Sequence, residues 1–209
     1  MRILIADDHP IFRAGLKEIL IKQPDTESVG EAEDGLKALA LARKERWDLI
    51  LLDITMPGKD GLEVLQELRR ERPKLPILIL SAHPEDQMAL RLLKAGAAGY
   101  LTKDRAPEVL LTAIRKILSG EKYISESLAE KTVLHVISEA PGLLHETLSD
   151  REYQVMRMIA SGKTIQEIGE ALFLSARTVS TYRARLLEKM NMKSNTELLR
   201  YALEHKLVE

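Results

Sequence analysis

The first 120 residues of this 209-residue chain alternate between two hydrophobic periods, and that alternation restricts the fold more than any other feature. Short apolar runs recur at Ile3–Ala6, Ser28–Ala32, Leu49–Leu52, Ile77–Leu80 and Gly99–Leu101. Each is too short for a helix, and their Ile, Leu and Val content suits buried strands. Between them lie stretches of helical period, at Ile11–Lys22, Leu36–Glu45, Leu62–Arg72, Glu85–Ala95 and Glu108–Leu118. Pro10, Pro84 and Pro107 fall near helix starts, where a missing N–H costs little. Gly96 and Gly120 fall at helix ends, where a left-handed residue closes the last turn. Five βα units in tandem imply a parallel sheet with helices on both faces.

The period then changes. Glu121–Glu146 reads as a linker holding one helix, Ser125–Ser138, with Leu128, Val133, Leu134 and Ile137 on its apolar side. Ala140-Pro141-Gly142 breaks it. From Leu148 onward only helical periods remain. Ser149-Asp150-Arg151-Glu152 has the capping-box pattern, with Leu148 and Tyr153 placed as a hydrophobic staple. Thr164 caps a short helix, Ile165–Leu172, and Ser175 caps a longer one, Ala176–Met190. Ser194-Asn195-Thr196-Glu197 reads as a second capping box opening a last helix to about His205. The expected organisation is therefore a domain over 1–120, a linker over 121–146 and a small four-helix domain over 147–209.

Composition removes several classes of function. The charged share of 30% and apolar share of 45% describe a globular chain, not a disordered one. The chain has no cysteine, so disulfide frameworks, iron–sulfur clusters and thiol catalysis are excluded, and a reducing cytoplasmic setting is expected. The five histidines, His9, His83, His135, His145 and His205, are scattered without metal-ligand spacing. No apolar run approaches the roughly 20 residues of a membrane helix, and no signal peptide precedes the first strand.

In a parallel α/β sheet, ligands bind beyond the carboxyl ends of the strands. Asp7 and Asp8 follow the first strand, Asp53 the third, Ser81 the fourth and Lys103 the fifth. Clustered carboxylates repel one another without a cation, and a hard divalent ion such as Mg²⁺ prefers oxygen ligands. Asp7, Asp8, Asp53 and the backbone carbonyl of Thr55 form the candidate metal set. Asp53 is then a nucleophile able to form an aspartyl-phosphate, with Lys103 pairing one phosphate oxygen and Ser81 hydrogen-bonding another.

Asp7-Asp8, Asp53-Ile54-Thr55-Met56-Pro57-Gly58-Lys59-Asp60-Gly61, Ser81-Ala82 and Tyr100-Leu101-Thr102-Lys103 resemble, in order, the receiver domain of two-component response regulators. The resemblance implies a flavodoxin-like (βα)5 doubly wound parallel fold. It implies that Asp53 accepts a phosphoryl group from a phosphohistidine of a sensor histidine kinase. It also implies that Ser81 and Tyr100 form the switch pair, Tyr100 moving into the space behind Ser81. His83 borders the pocket, either acting on the attacking water or standing as a solvated loop residue. Asp60 is a turn residue before Gly61. A phosphatase of the haloacid-dehalogenase kind is the rival reading, but it needs a general acid two residues after the nucleophile, and Thr55 stands there. A domain that holds its phosphate, with at most slow autodephosphorylation, is expected instead of an enzyme.

In the second domain, Ile165, Ile168 and Leu172 form one apolar face, and Gly169 marks a close approach by a partner helix. Phe173-Leu174-Ser175 makes the turn. Val179, Tyr182, Leu186 and Met190 keep a 3.6 period and face inward, Tyr182 with its hydroxyl free to touch a phosphate. The opposite face carries Arg177, Ser180, Thr181, Ala184 and Arg185, the polar side of a helix-turn-helix. Ala176–Lys193 holds five basic residues, Arg177, Arg183, Arg185, Lys189 and Lys193, against Glu188 alone, a net of +4. Such a patch supplies phosphate contacts, while Ser180, Thr181 and the Ala184 methyl are placed to meet base edges. Lys163, Thr164, Thr178, Arg183 and Lys189 complete the expected DNA-binding set.

Leu148–Glu152, Gly162–Ile168, Phe173–Val179 and Leu186–Met190 resemble the LuxR-type helix-turn-helix of the NarL/FixJ response regulators. The run Val179-Ser180-Thr181-Tyr182-Arg183 looks most like the BvgA/EvgA branch. The resemblance implies a final helix that pairs two domains on double-stranded promoter DNA as a homodimer. The whole then reads as a cytoplasmic transcription factor, with no membrane partner, whose dimerisation and DNA binding are switched by phosphorylation. A receiver whose output is protein–protein contact is the alternative.

Overall fold

A computed structural model describes the chain apart from residues 58, 60, 83–86, 126–127, 130–142, 206 and 209. It divides into two compact units, Met1–Leu134 and His135–Glu209.

The first unit is a five-stranded sheet of β1 (Arg2–Ala6), β2 (Ser28–Ala32), β3 (Leu49–Asp53), β4 (Ile77–Ser81) and β5 (Gly99–Thr102). All pairings are parallel, in the order β2-β1-β3-β4-β5. The intervening helices are α1 (Pro10–Ile21), α2 (Gly35–Lys44), α3 (Gly61–Glu71), α4 (Gln87–Lys94) and α5 (Ala106–Leu118). Each strand and helix expected from the hydrophobic periods is present, with ends shifted by one or two residues. Strands β3 and β4 are buried at every residue, as a sheet covered on both faces requires.

Register sorts the core. Ile3 and Ile5 share a face with Leu49, Leu51, Leu78 and Leu80, and this face packs against Leu16 and Leu20 of α1 and Leu110, Ala113 and Ile114 of α5. Tyr100 lies opposite Ile79 and Thr102 opposite Ser81, so Tyr100 and Ser81 stand on the other face. Pro10 and Pro107 open α1 and α5 as expected. His83, Pro84, Gly58 and Asp60 lie outside the described residues.

The expected linker begins inside this unit. The Tyr123 N–H donates to the Ala98 carbonyl at 3.0 Å, and the Tyr100 N–H donates to the Tyr123 carbonyl at 3.4 Å. A Cβ on Gly99 would stand 2.7 Å from the Tyr123 carbonyl oxygen, so only glycine admits this clip on the free edge of β5. The linker helix expected over Ser125–Ser138 lies outside the described residues, apart from Ser125, a buried Leu128 and Ala129.

The described part of the second unit holds a 3-10 turn, Leu144–Thr147, followed by α6 (Asp150–Ala160), α7 (Ile165–Leu172), α8 (Ala176–Lys189) and α9 (Asn195–Glu204). Ser149 and Thr164 each form a full capping box, with Glu152 and Glu167 respectively. The second expected box, at Ser194, is only half made. Ser194 Oγ accepts from the Glu197 N–H, but the Glu197 carboxylate accepts from Lys193 N–H, one residue ahead of the cap. The close approach at Gly169 is made not by a partner helix but by the turn itself. A Cβ there would lie 2.7 Å from the Leu174 carbonyl oxygen. His145 is fully buried, with Nδ1 2.8 Å from the Tyr201 hydroxyl, which ties the entry turn to α9.

Candidate functional site

At the carboxyl ends of β1 and β3 the chain order reverses, opening a crevice at the sheet edge. Asp7 and Asp53 lie there, both almost wholly buried. Lys103 reaches between them from beyond β5. Its Nζ is 2.7 Å from Asp53 Oδ2 and 2.8 Å from Asp7 Oδ2. The Lys103 N–H donates to the Ser81 carbonyl at 2.7 Å, which seats the lysine against the end of β4. Asp53 Oδ1 accepts the Thr55 N–H at 3.1 Å, and Asp7 Oδ1 accepts the His9 N–H at 2.8 Å. Arg13 donates to the Asp7 carbonyl at 2.6 Å and holds the strand end from α1.

The electrostatics follow from burial. Burial pushes the Asp53 carboxyl above its usual range, against the opposing pull of Lys103. Burial draws the Lys103 ammonium down, but Asp53 and Asp7 together outweigh it and raise it. One ammonium faces three carboxylates, those of Asp7, Asp8 and Asp53. Asp8 Oδ1 is buried, with His9 Nδ1 at ion-pair distance from it. A carboxylate-rich set in negative excess is compatible with a divalent cation.

Of the sequence-derived residues, Asp7, Asp8, Asp53 and Lys103 come together, with two additions. Ser81 is buried at the end of β4 and Tyr100 is fully buried in β5. His83 lies outside the described residues. The addition sequence reasoning missed is His9, which is not scattered at all. Its Nδ1 is 2.7 Å from Asp8 Oδ1, 3.3 Å from Asp7 Oδ1 and 3.9 Å from Asp53 Oδ2. It is the N-cap of α1 yet makes no capping hydrogen bond, so its ring is left to the acidic cluster. The available signal was position, directly after Asp7-Asp8 at a strand end. The second addition is Phe12, whose ring lies 5.1 Å from Lys103 Nζ.

The second unit offers a different surface. Helix α8 buries Val179, Leu186 and Met190 and half-buries Tyr182, as its period requires. Arg177, Ser180, Thr181, Ala184 and Arg185 are all exposed. Arg177 and Arg185 make no hydrogen bond or ion pair among the described residues, whereas the other cations of this helix are engaged. Arg183 Nε donates to Asn195 Oδ1 at 2.8 Å, and Lys189 Nζ pairs with Glu152 Oε2 at 2.7 Å. The Ser180 and Thr181 hydroxyls donate back to the Ala176 and Arg177 carbonyls, leaving lone pairs outward. Thr164 and Thr178 are bound into the caps of α7 and α8, and Lys163 is exposed beside them.

A doubly wound domain with an acidic pocket, followed by a helix-turn-helix, defines a signal receiver joined to a DNA-binding module. Residues 3–115 match the response regulator receiver domain, and residues 146–202 match the luxR family of bacterial regulatory proteins. The chain is 37% identical to the response regulator UvrY of Escherichia coli strain K12, with 99% of this chain and 95% of that one covered. It is 36% identical to the response regulator GacA of Pseudomonas aeruginosa, covering 100% and 98%. Among solved structures it is similar to RcsB from Salmonella enterica serovar Typhimurium bound to promoter rprA in the presence of the phosphomimetic BeF3⁻. That match has 27% identity and a TM-score of 0.67, and covers 96% of this chain and 97% of that one. The chain belongs to the response regulators that carry a receiver domain and a LuxR-type helix-turn-helix. It is a phosphorylation-dependent transcriptional regulator of the NarL/FixJ type, not a classical enzyme. Among the described residues no helix is long and apolar enough to cross a membrane.

Proposed function

We propose that Asp53 accepts a phosphoryl group from a sensor histidine kinase. The observation that carries this is the Lys103 ammonium shared by Asp53 and Asp7. In the transfer, the N–P bond of the donor phosphohistidine breaks and an O–P bond to Asp53 forms, the freed imidazole taking a proton. Asp7, Asp8, Asp53 and the Thr55 carbonyl hold a divalent cation, Mg²⁺ by the all-oxygen chemistry of the set. When bound, the ion neutralises phosphoryl charge. Lys103 pairs with one phosphate oxygen, and the Ser81 hydroxyl donates to another. Phosphorylation adds about −1.5 to −2 charges where an ordinary carboxylate stood. Ser81 is drawn toward that charge, and Tyr100, on the same face, moves with it. With Thr55 in place of a general acid, the acyl phosphate is hydrolysed slowly.

The output is DNA binding in the cytoplasm. Arg177 and Arg185 contact phosphates, with Lys163, Thr164, Thr178, Arg183 and Lys189 flanking them. Ser180, Thr181 and Ala184 face base edges. Leu199 and Leu203 of α9, 39% and 50% exposed, are the seam on which two copies pair on promoter DNA. We place the receiver at 1–120, the linker at 121–146 and the reader at 147–209, with Tyr123 the point where the linker grips the receiver.

Asp53→Ala should abolish phosphate incorporation from acetyl phosphate with Mg²⁺. Incorporation at the wild-type level would remove Asp53 as acceptor.

A further inference from the structure

We propose that His9 adds an imidazole donor to the cation site, so that this receiver takes a borderline divalent metal (Mn²⁺, Co²⁺ or Zn²⁺) more tightly than its carboxylates alone allow. The inference rests on reading Asp7, Asp8 and Asp53 as a divalent-cation site.

The geometry is that of ligands sharing one ion. One donor atom from each of Asp7, Asp8, His9 and Asp53 lies within 4.8 Å of all the others. On an octahedral ion with bonds of about 2.1 Å, neighbouring donors stand about 3.0 Å apart and opposite donors about 4.2 Å. His9 Nδ1 stands 2.7, 3.3 and 3.9 Å from oxygens of Asp8, Asp7 and Asp53, two of them within that range and one just below it. The shortest of these, to Asp8 Oδ1, is also an ion-pair distance, so an imidazolium and a metal ion compete for the same place.

The ring is also reachable. It makes no helix-capping bond, and its side chain is 63% exposed, so an ion can enter from solvent and replace the 3.3 Å contact of Nδ1 with Lys103 Nζ. Its backbone N–H, bound to Asp7 Oδ1, sets its position beside the cluster. Lys103 does not block it from Asp7. The lysine uses Oδ2 of that carboxylate, whereas His9 faces Oδ1. An imidazole in an otherwise all-oxygen set changes preference, because carboxylates suit Mg²⁺ and imidazole suits the later transition metals.

The test is calorimetric titration of the full-length chain with MgCl2, MnCl2 and CoCl2, with pulsed EPR of the Mn²⁺-loaded protein. Replacing His9 by alanine should weaken Co²⁺ binding about tenfold or more while changing Mg²⁺ binding less than about twofold. The ¹⁴N modulation of a bound imidazole should be present in the wild type and absent in His9→Ala. Equal losses for both metals, no loss for either, or a nitrogen signal that survives His9→Ala would overturn the proposal. Asp8→Asn separates this failure from failure of the underlying reading. If Asp8→Asn leaves both Mg²⁺ and Co²⁺ affinity intact, the carboxylate site itself is wrong and the proposal falls with it.

Discussion

The two units handle charge in opposite ways. In the receiver, carboxylates are driven into a nearly dry crevice, and a single ammonium answers them there. In the reader, two guanidinium groups of α8 are left in water with no partner among the described residues, while the other two cations of that helix, Arg183 and Lys189, are spent on the fold. A buried charge is costly unless paired, so the receiver stores electrostatic tension that one added phosphoryl group can redistribute. An exposed charge costs little, so the reader keeps its own for a polyanion. The chain-wide net of −1 averages these two strategies and describes neither.

The largest effect that would sharpen this contrast is loss of the receiver's cation. Lys103→Met should destabilise the receiver by about 3 kcal/mol in metal-free buffer, because Asp53 and Asp7 remain buried without it. Urea unfolding should show this loss and its partial recovery on adding Mg²⁺. A variant as stable as the wild type would mean that the pocket holds no such tension.

On the reader side, Arg177→Ala and Arg185→Ala should each weaken DNA binding by about 1 kcal/mol and lower the salt slope by about 0.9. Lys189→Met should instead act on unfolding, since that lysine bridges α8 to Glu152. If Lys189→Met lowers the salt slope while Arg177→Ala leaves it unchanged, the division between free and spent cations is reversed.

The smallest effect is pH-dependent. Burial pushes the Glu152 carboxyl up, but its bonds to Lys189 and Ser149 prevail and hold it below the usual range. A carboxyl lowered on folding contributes stability above its unfolded value, about 4.3, and loses it as pH falls through the lowered folded value. Between about pH 6 and pH 3 the reader should therefore lose more stability than its Glu152→Gln variant. Parallel pH profiles would show that this capping box carries no charge-dependent stability.

Much of this was legible along the chain. Strands and helices followed from a switch of period, because a strand buried on both faces must be continuously apolar and an amphipathic helix must repeat every 3.6 residues. Asp7, Asp8, Asp53, Ser81 and Lys103 could be named because each ends a strand, and parallel strands end on one edge. The caps at Ser149, Thr164 and Ser175 were legible because capping acts over three residues. His9 escaped notice because metal-ligand spacing is a pattern within one element, whereas its partners come from two strand ends. Gly169 was assigned a helix neighbour where a turn carbonyl stands, since sequence signals closeness without saying what is close.

The sequence by itself determined the local periods, the caps, the order of the strands and the residue types that end them. These depend on neighbours a few positions away. Tertiary structure alone decided which charges are buried, which are paired and which are left for a ligand. Lys103 meets Asp53 across 50 residues, and Lys189 meets Glu152 across 37. Solvation and Coulomb energy depend on distance in space and on access to water, and only the folded chain sets either one.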